Sequence, residues 1–202
     1  MADMAEPIIL ASASAARARL LDAAGVPFSI EPAAIDEERI KRASRATGQS
    51  TIECALALAV EKARHISGRH REALVIGADQ ILVAGDEWYD KPKNLAEARE
   101  QLLSLRGRTH ILATAATVLR AGKQIWHATS APEMTMRTFS EAFLDRYIAA
   151  EGDALLGSVG AYRLEGPGVQ LFERLSGDHF GVLGLPLLEL LDFLRNRGAL
   201  LS

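Results

Sequence analysis

The chain has 202 residues, 49% of them hydrophobic and 24% charged, with 23 basic against 26 acidic side chains and a formal charge of −3. This balance excludes a disordered chain and gives no global electrostatic case for nucleic acid. The single cysteine, Cys54, excludes an internal disulfide, and no segment approaches the roughly 18–20 apolar residues of a membrane span. Met1 to Glu6 carries acids and no basic start, so it does not read as a secretion signal. The expectation is a cytoplasmic globular protein with neither a membrane nor a nucleic acid as partner.

Pro7-Ile8-Ile9-Leu10-Ala11 is a short apolar run that suits a buried strand. Ala15 to Ala24 reads as a helix stopped by Gly25, and Val26 to Pro32 as a second strand. Thr51 to Ser67 is a long helix with Leu56, Ala59, Val60, Ala63 and Ile66 on one stripe. Leu74 to Val83 is an apolar strand with one acid in its middle, and Gly85-Asp86-Glu87 is a hairpin turn. Leu95 to Leu105 is a helix ending at Gly107. Thr109 to Leu119 and Gln124 to Arg137 read as strands joined at Ala121-Gly122. Ser140 caps a helix to about Ala150. Val159 to Leu164 and Val169 to Arg174 read as short strands in a Gly-rich region. Pro186 opens a last helix with Leu187, Leu190, Leu191 and Leu194 at i, i+3, i+4, i+7, closed by Gly198. Helices and strands alternate and then strands cluster, which predicts an α/β or α+β fold on a mixed sheet.

Three places break local rules. In Ser12-Ala13-Ser14-Ala15-Ala16-Arg17, Ser14 is a natural N-cap, but Arg17 stands where a capping box wants an acid. Positive charge there opposes the helix dipole by some tenths of a kcal/mol unless an anion binds at the helix start. The plain alternative is a solvated arginine beside an ordinary cap. In Gly77-Ala78-Asp79-Gln80, a carboxylate interrupts an apolar strand, which is costly unless it is paired or holds a cation. It reads as a general base or a metal ligand, or as a strand-end acid satisfied by amides. Asp90-Lys91-Pro92-Lys93 is a solvated turn or a point charge for phosphate. Only five of the 23 basic residues are lysines, so any lysine in a strategic place draws notice; Glu61-Lys62, late in an amphipathic helix, reads plainly as a surface ion pair. Ile35-Asp36-Glu37-Glu38 reads as metal-binding carboxylates or an acidic loop, and the five histidines show no zinc spacing. Cys54 reads as inert core.

In order along the chain, these segments resemble the Maf family of nucleoside triphosphate pyrophosphatases. The resemblance rests on Ser12-Ala13-Ser14-Ala15-Ala16-Arg17, Ile35-Asp36-Glu37, Glu61-Lys62-Ala63, Gly77-Ala78-Asp79-Gln80, Lys91-Pro92, Gly107-Arg108-Thr109-His110 and Gly184-Leu185-Pro186-Leu187. It implies one Maf-like domain over residues 1–202. The implied fold is mixed α/β, like that of inosine triphosphatases: a long, largely antiparallel sheet, flanking helices, and two lobes around a cleft. The implied reaction converts a nucleoside triphosphate to the monophosphate and pyrophosphate, aided by Mg²⁺ or Mn²⁺.

By matching position, the resemblance makes Asp79 the catalytic base or a metal ligand beside Glu37. It makes Ser12, Ser14, Arg17, Lys62 and Lys91 the phosphate-binding residues. Gln80 and Glu165 resemble the subgroup acting on 7-methyl-GTP, whereas Ala16 stands where that subgroup can carry Trp. A carboxylate suits a methylated guanine, because it accepts from N1–H and the exocyclic amine and offsets the cationic ring. A homodimer is plausible on the same resemblance. The rival expectation is a non-catalytic nucleotide-binding regulator of cell division.

Overall fold

A computed structural model describes residues 6–201. β1 (Ile8–Leu10) leads into α1 (Ala15–Ala23), β2 (Ser29–Ile30), α2 (Glu37–Ala46), α3 (Thr51–Ser67), β3 (Leu74–Ala84) and β4 (Glu87–Tyr89). Then come α4 (Leu95–Leu105), β5 (Thr109–Arg120), β6 (Lys123–Ser130), β7 (Glu133–Met136), α5 (Glu141–Glu151), β8 (Phe172–Ser176), α6 (His179–Val182) and α7 (Leu187–Asn196). Among the described residues the strands form one eight-stranded sheet in the order β2-β1-β3-β5-β7-β8, with β4 on β3 and β6 on β5. β1 runs parallel to β2 and β3, whereas β5 pairs antiparallel with β6 and β7, and β7 with β8. The sheet is therefore mixed, as the alternation of elements predicts.

The chain resolves into two compact units. The first holds residues up to 80, 114–130 and those from 180 onwards; the second holds 81–113 and 131–179. In the first unit, successive residues of β1 point to opposite faces and both faces are buried. Ile8 and Leu10 pack with Leu21 of α1 and with Leu187, Leu190, Leu191 and Leu194 of α7. Ile9 packs on the other side with Ala63 and Ile66 of α3. A strand covered on both faces reads as an unbroken apolar run, which explains the Ile8-Ile9-Leu10 segment.

Helix starts follow the local chemistry closely. Ser14, Ser50, Asn94 and Ser140 accept from the backbone N–H three residues on, and Ser50 with Glu53 completes a capping box. Gly77 does a different job. A Cβ there would overlap the Ala59 carbonyl and lie 2.9 Å from the Ala63 Cβ. Only glycine lets α3 lie this close to β3.

Several expectations are corrected. The acidic segment at 35–38 is not a loop: Asp36 accepts from Arg39 N–H at 2.9 Å and starts α2, whose first turn holds Glu37 and Glu38. Acids there complement the helix dipole, a signal that outweighed the polar composition. The strand expected over Val26 to Pro32 shrinks to Ser29–Ile30, and the one expected over Gln124 to Arg137 divides into β6 and β7. The strand expected over Val159 to Leu164 is instead 3-10 turn at Val159–Ala161 followed by irregular chain. Gly160 and Ala161 both take positive φ there, which no strand tolerates. Further 3-10 turns at Gly152–Gly157 and Pro167–Leu171 flank it, and the last expected strand begins only at Phe172.

Candidate active site

The first cluster sits where β1 hands over to α1. Ser12 Oγ accepts from the Ser14 N–H at 3.2 Å and from Arg17 Nη1 at 3.1 Å. Ser14 Oγ accepts from the Arg17 N–H at 3.4 Å. Arg17 is not the solvated side chain of the plain alternative. It is only 8% exposed, and it donates from Nε to the Gly184 carbonyl at 2.8 Å and from Nη1 to the Ala78 carbonyl at 2.9 Å. Gly184 has φ +98°, and a Cβ there would press on the guanidinium at 3.3 Å. Burial pushes the Arg17 pKa down from its ordinary value, opposed by the negative charges of Asp79 and Glu37. An arginine stays protonated at neutral pH regardless. Its acceptors are two carbonyls and a hydroxyl, all neutral, so none cancels its charge at contact.

The second cluster is joined to the first through β3, because Arg17 bonds the carbonyl one residue before Asp79. Lys62 Nζ, from α3, lies 2.5 Å from Asp79 Oδ1 and 2.8 Å from Glu37 Oε1. The close approach at Gly77 brings the helix that carries Lys62 onto the strand that carries Asp79. Lys62 and Asp79 are 11% and 9% exposed, whereas Glu37 is 43% exposed. A carboxylate this buried requires a partner, and the ammonium supplies it.

Gln80 follows Asp79 and so points to the opposite face of the strand. Its Nε2 donates to Thr114 Oγ1 at 2.8 Å and to the Gly181 and Val182 carbonyls at 2.9 and 3.2 Å. It thereby ties β3 to β5 and α6. Ala16 lies half-exposed in the first turn of α1.

The structure thus brings Ser12, Ser14, Arg17, Glu37, Lys62 and Asp79 together within the first unit. Lys91 and Glu165 belong to the second unit, both exposed, on the irregular chain after β4 and between two 3-10 segments. Sequence reasoning gave no role to the Gly184 carbonyl. The glycine stood in a quoted motif, but a backbone acceptor leaves no side-chain signal. Among the described residues no group of three or more His, Cys, Asp or Glu side chains could hold a metal. The pair Glu37 and Asp79 nevertheless suits Mg²⁺, which needs only one or two carboxylates when phosphate oxygens and water complete its shell. Lys62 Nζ contacts both acids, so the two carboxylates face one ammonium.

Comparison with known proteins identifies the family. The Maf-like protein family matches residues 7–197, and the chain belongs to the Maf family. A protein of Granulibacter bethesdensis named nucleoside triphosphate pyrophosphatase is 52% identical over 193 residues, covering 96% of this chain and 98% of that one. One of the same name from Rhodospirillum rubrum is 50% identical over 202 residues, covering both chains fully. A protein of Rhizobium meliloti named 7-methyl-GTP pyrophosphatase is 47% identical over 193 residues, covering 96% of this chain and 97% of its own. No helix among the described residues is long and apolar enough to cross a membrane.

Proposed function

We propose that this protein hydrolyses a nucleoside triphosphate to the nucleoside monophosphate and pyrophosphate. The observation that carries the reading is the adjacency of two clusters: a buried arginine with neutral partners at a helix start, and the Glu37–Lys62–Asp79 cluster one residue along β3. The names of the relatives support the same reaction.

A triphosphate carries roughly four negative charges, so its receptor needs fixed positive charge and N–H donors. Arg17, Ser12, Ser14 and the free N–H groups at the start of α1 supply these in the first unit. Lys91 is the further cation of the second unit. Asp79 holds the attacking water and takes its proton as the oxygen bonds to the α-phosphorus. The bond from that phosphorus to the β-bridging oxygen breaks, and pyrophosphate leaves with the electron pair. Lys62 moves positive charge toward the oxygens where negative charge builds. Glu37 and Asp79 would hold Mg²⁺ or Mn²⁺, which when bound neutralises phosphate charge and lowers the pKa of bound water.

For the base we propose a modified guanine, with Glu165 accepting from N1–H and the exocyclic amine. Gln80 contributes through the segment at 181–182 that its amide holds, and Ala16 leaves the first turn of α1 without an aromatic platform. We place the protein in the cytoplasm, consistent with a free, buried Cys54. The test is a panel of canonical and methylated triphosphates with products quantified. Pyrophosphate and monophosphate are expected. Release of orthophosphate would refute the cleavage position, and tight binding without turnover would favour the regulator.

A further inference from the structure

The second unit contains a buried polar chain that the proposed reaction does not use. His110 of β5 is 1% exposed and packs against the rings of Tyr162 and Phe172, with centroids 5.6 and 6.0 Å away. Its Nε2 lies 2.8 Å from Tyr162 Oη, which in turn lies 3.4 Å from Met134 Sδ. His110 Nδ1 is buried without a partner. Counting hydrogens assigns the tautomer. A proton on Nδ1 would be a buried donor with no acceptor, costing about 1–3 kcal/mol. A proton on Nε2 donates to the phenol oxygen, and the phenol donates to the sulfur. Both hydrogens are then used, and only a lone pair at Nδ1 goes unmet.

What this chain holds is the irregular segment ahead of Glu165. Gly160 has φ +76° and Ala161 has φ +57°, the latter a strained conformation for a residue with a side chain. A Cβ at Gly160 would lie 2.6 Å from Leu82 Cδ1 and 2.7 Å from Tyr162 Cε1, so the turn is pressed under the tyrosine ring. Beyond the ring, the Arg163 N–H donates to Tyr147 Oη at 3.2 Å, and Arg163 Nη1 pairs with Glu151 Oε2 at 2.9 Å. Gly166 backs onto Glu151, and Gly168 onto Tyr147. Glu165 therefore projects from a turn pinned on both sides.

We infer that His110 and Tyr162 are positioning residues for base selection, fixing the turn from which Glu165 meets the nucleobase. This rests on the assignment of Glu165 to the base. The test compares nucleotide turnover with inhibition by inorganic tripolyphosphate, which has the phosphates but no base. Tyr162→Phe keeps the ring and deletes the hydroxyl; His110→Leu deletes the donor. Both should raise KM for the preferred nucleotide about tenfold and flatten the preference among bases, the scale of one lost hydrogen bond. Both should leave kcat and the tripolyphosphate inhibition constant within about twofold. His110→Gln, with its amide nitrogen where Nε2 stood, should retain the preference. Unchanged selectivity in Tyr162→Phe, or an equal loss toward tripolyphosphate, would overturn the inference. If Glu165→Gln leaves the base preference intact, the assignment of Glu165 falls and this inference with it. If Glu165→Gln flattens the preference and Tyr162→Phe does not, that assignment stands and the anchor alone falls.

Discussion

Two regions of this molecule fix functional side chains by opposite means. In the first unit, Glu37, Lys62 and Asp79 stand on two helices and a strand, and short ion pairs align them. In the second, Glu165 stands on irregular chain, held by the His110–Tyr162 and Arg163–Tyr147 hydrogen bonds and by one ion pair, Arg163 with Glu151. Charge held by regular elements suits the roles proposed for these groups, to meet phosphate and move a proton. The buried, neutral His110–Tyr162 part of that anchor suits the discriminating role proposed for Glu165, because its hydrogen bonds do not depend on what charge is bound nearby.

The comparison can be broken most decisively at Asp79. Asp79→Asn removes the proposed proton acceptor and should lower kcat by about 10²–10⁴-fold, the usual range for a general base, measured as pyrophosphate release. Next comes acid. Burial, helped by the charge of Arg108, lowers the His110 pKa from 6.5 to about 4. A folded pKa below the unfolded one means the folded form refuses a proton that the unfolded chain accepts. The histidine's share of stability is intact above pH 6.5 and is lost as pH falls toward 4, by about 3 kcal/mol. Thermal unfolding across that range should show the loss, and His110→Gln should flatten it. Gly77→Ala should force α3 off β3, destabilising by about 1–3 kcal/mol as overpacking does and lowering turnover by separating Lys62 from Asp79. Lys62→Met should reduce turnover yet tighten Mn²⁺ binding to the nucleotide-free protein, read by titration calorimetry, because the ammonium no longer competes for the two carboxylates. The smallest effect is Ser14→Ala, about 1 kcal/mol in thermal stability for a lost cap.

The same contrast explains what could be read from sequence. Asp79 in an apolar strand and Arg17 in a helix's first turn violate local expectation, so these two members of the first unit's cluster were legible. Glu37 was legible as an acid but not as the first residue of a helix. The turn before Glu165 was misread as a strand, because Val159, Ala161 and Tyr162 carry no mark of the positive φ that Ala161 adopts. His110 gave no signal as an anchor, since its partner lies 52 residues away. Backbone acceptors such as the Gly184 and Ala78 carbonyls are invisible in any sequence.

The burial of Arg17 has a consequence for ionic strength. Mobile ions screen exposed charges beyond roughly 8–10 Å, but they reach a charge enclosed by protein far less. A receptor built on surface lysines would lose affinity steeply as salt rises. One built around a guanidinium clamped by Gly184, Ala78 and Ser12 should keep its grip on a polyanion across the salt range of a living cell.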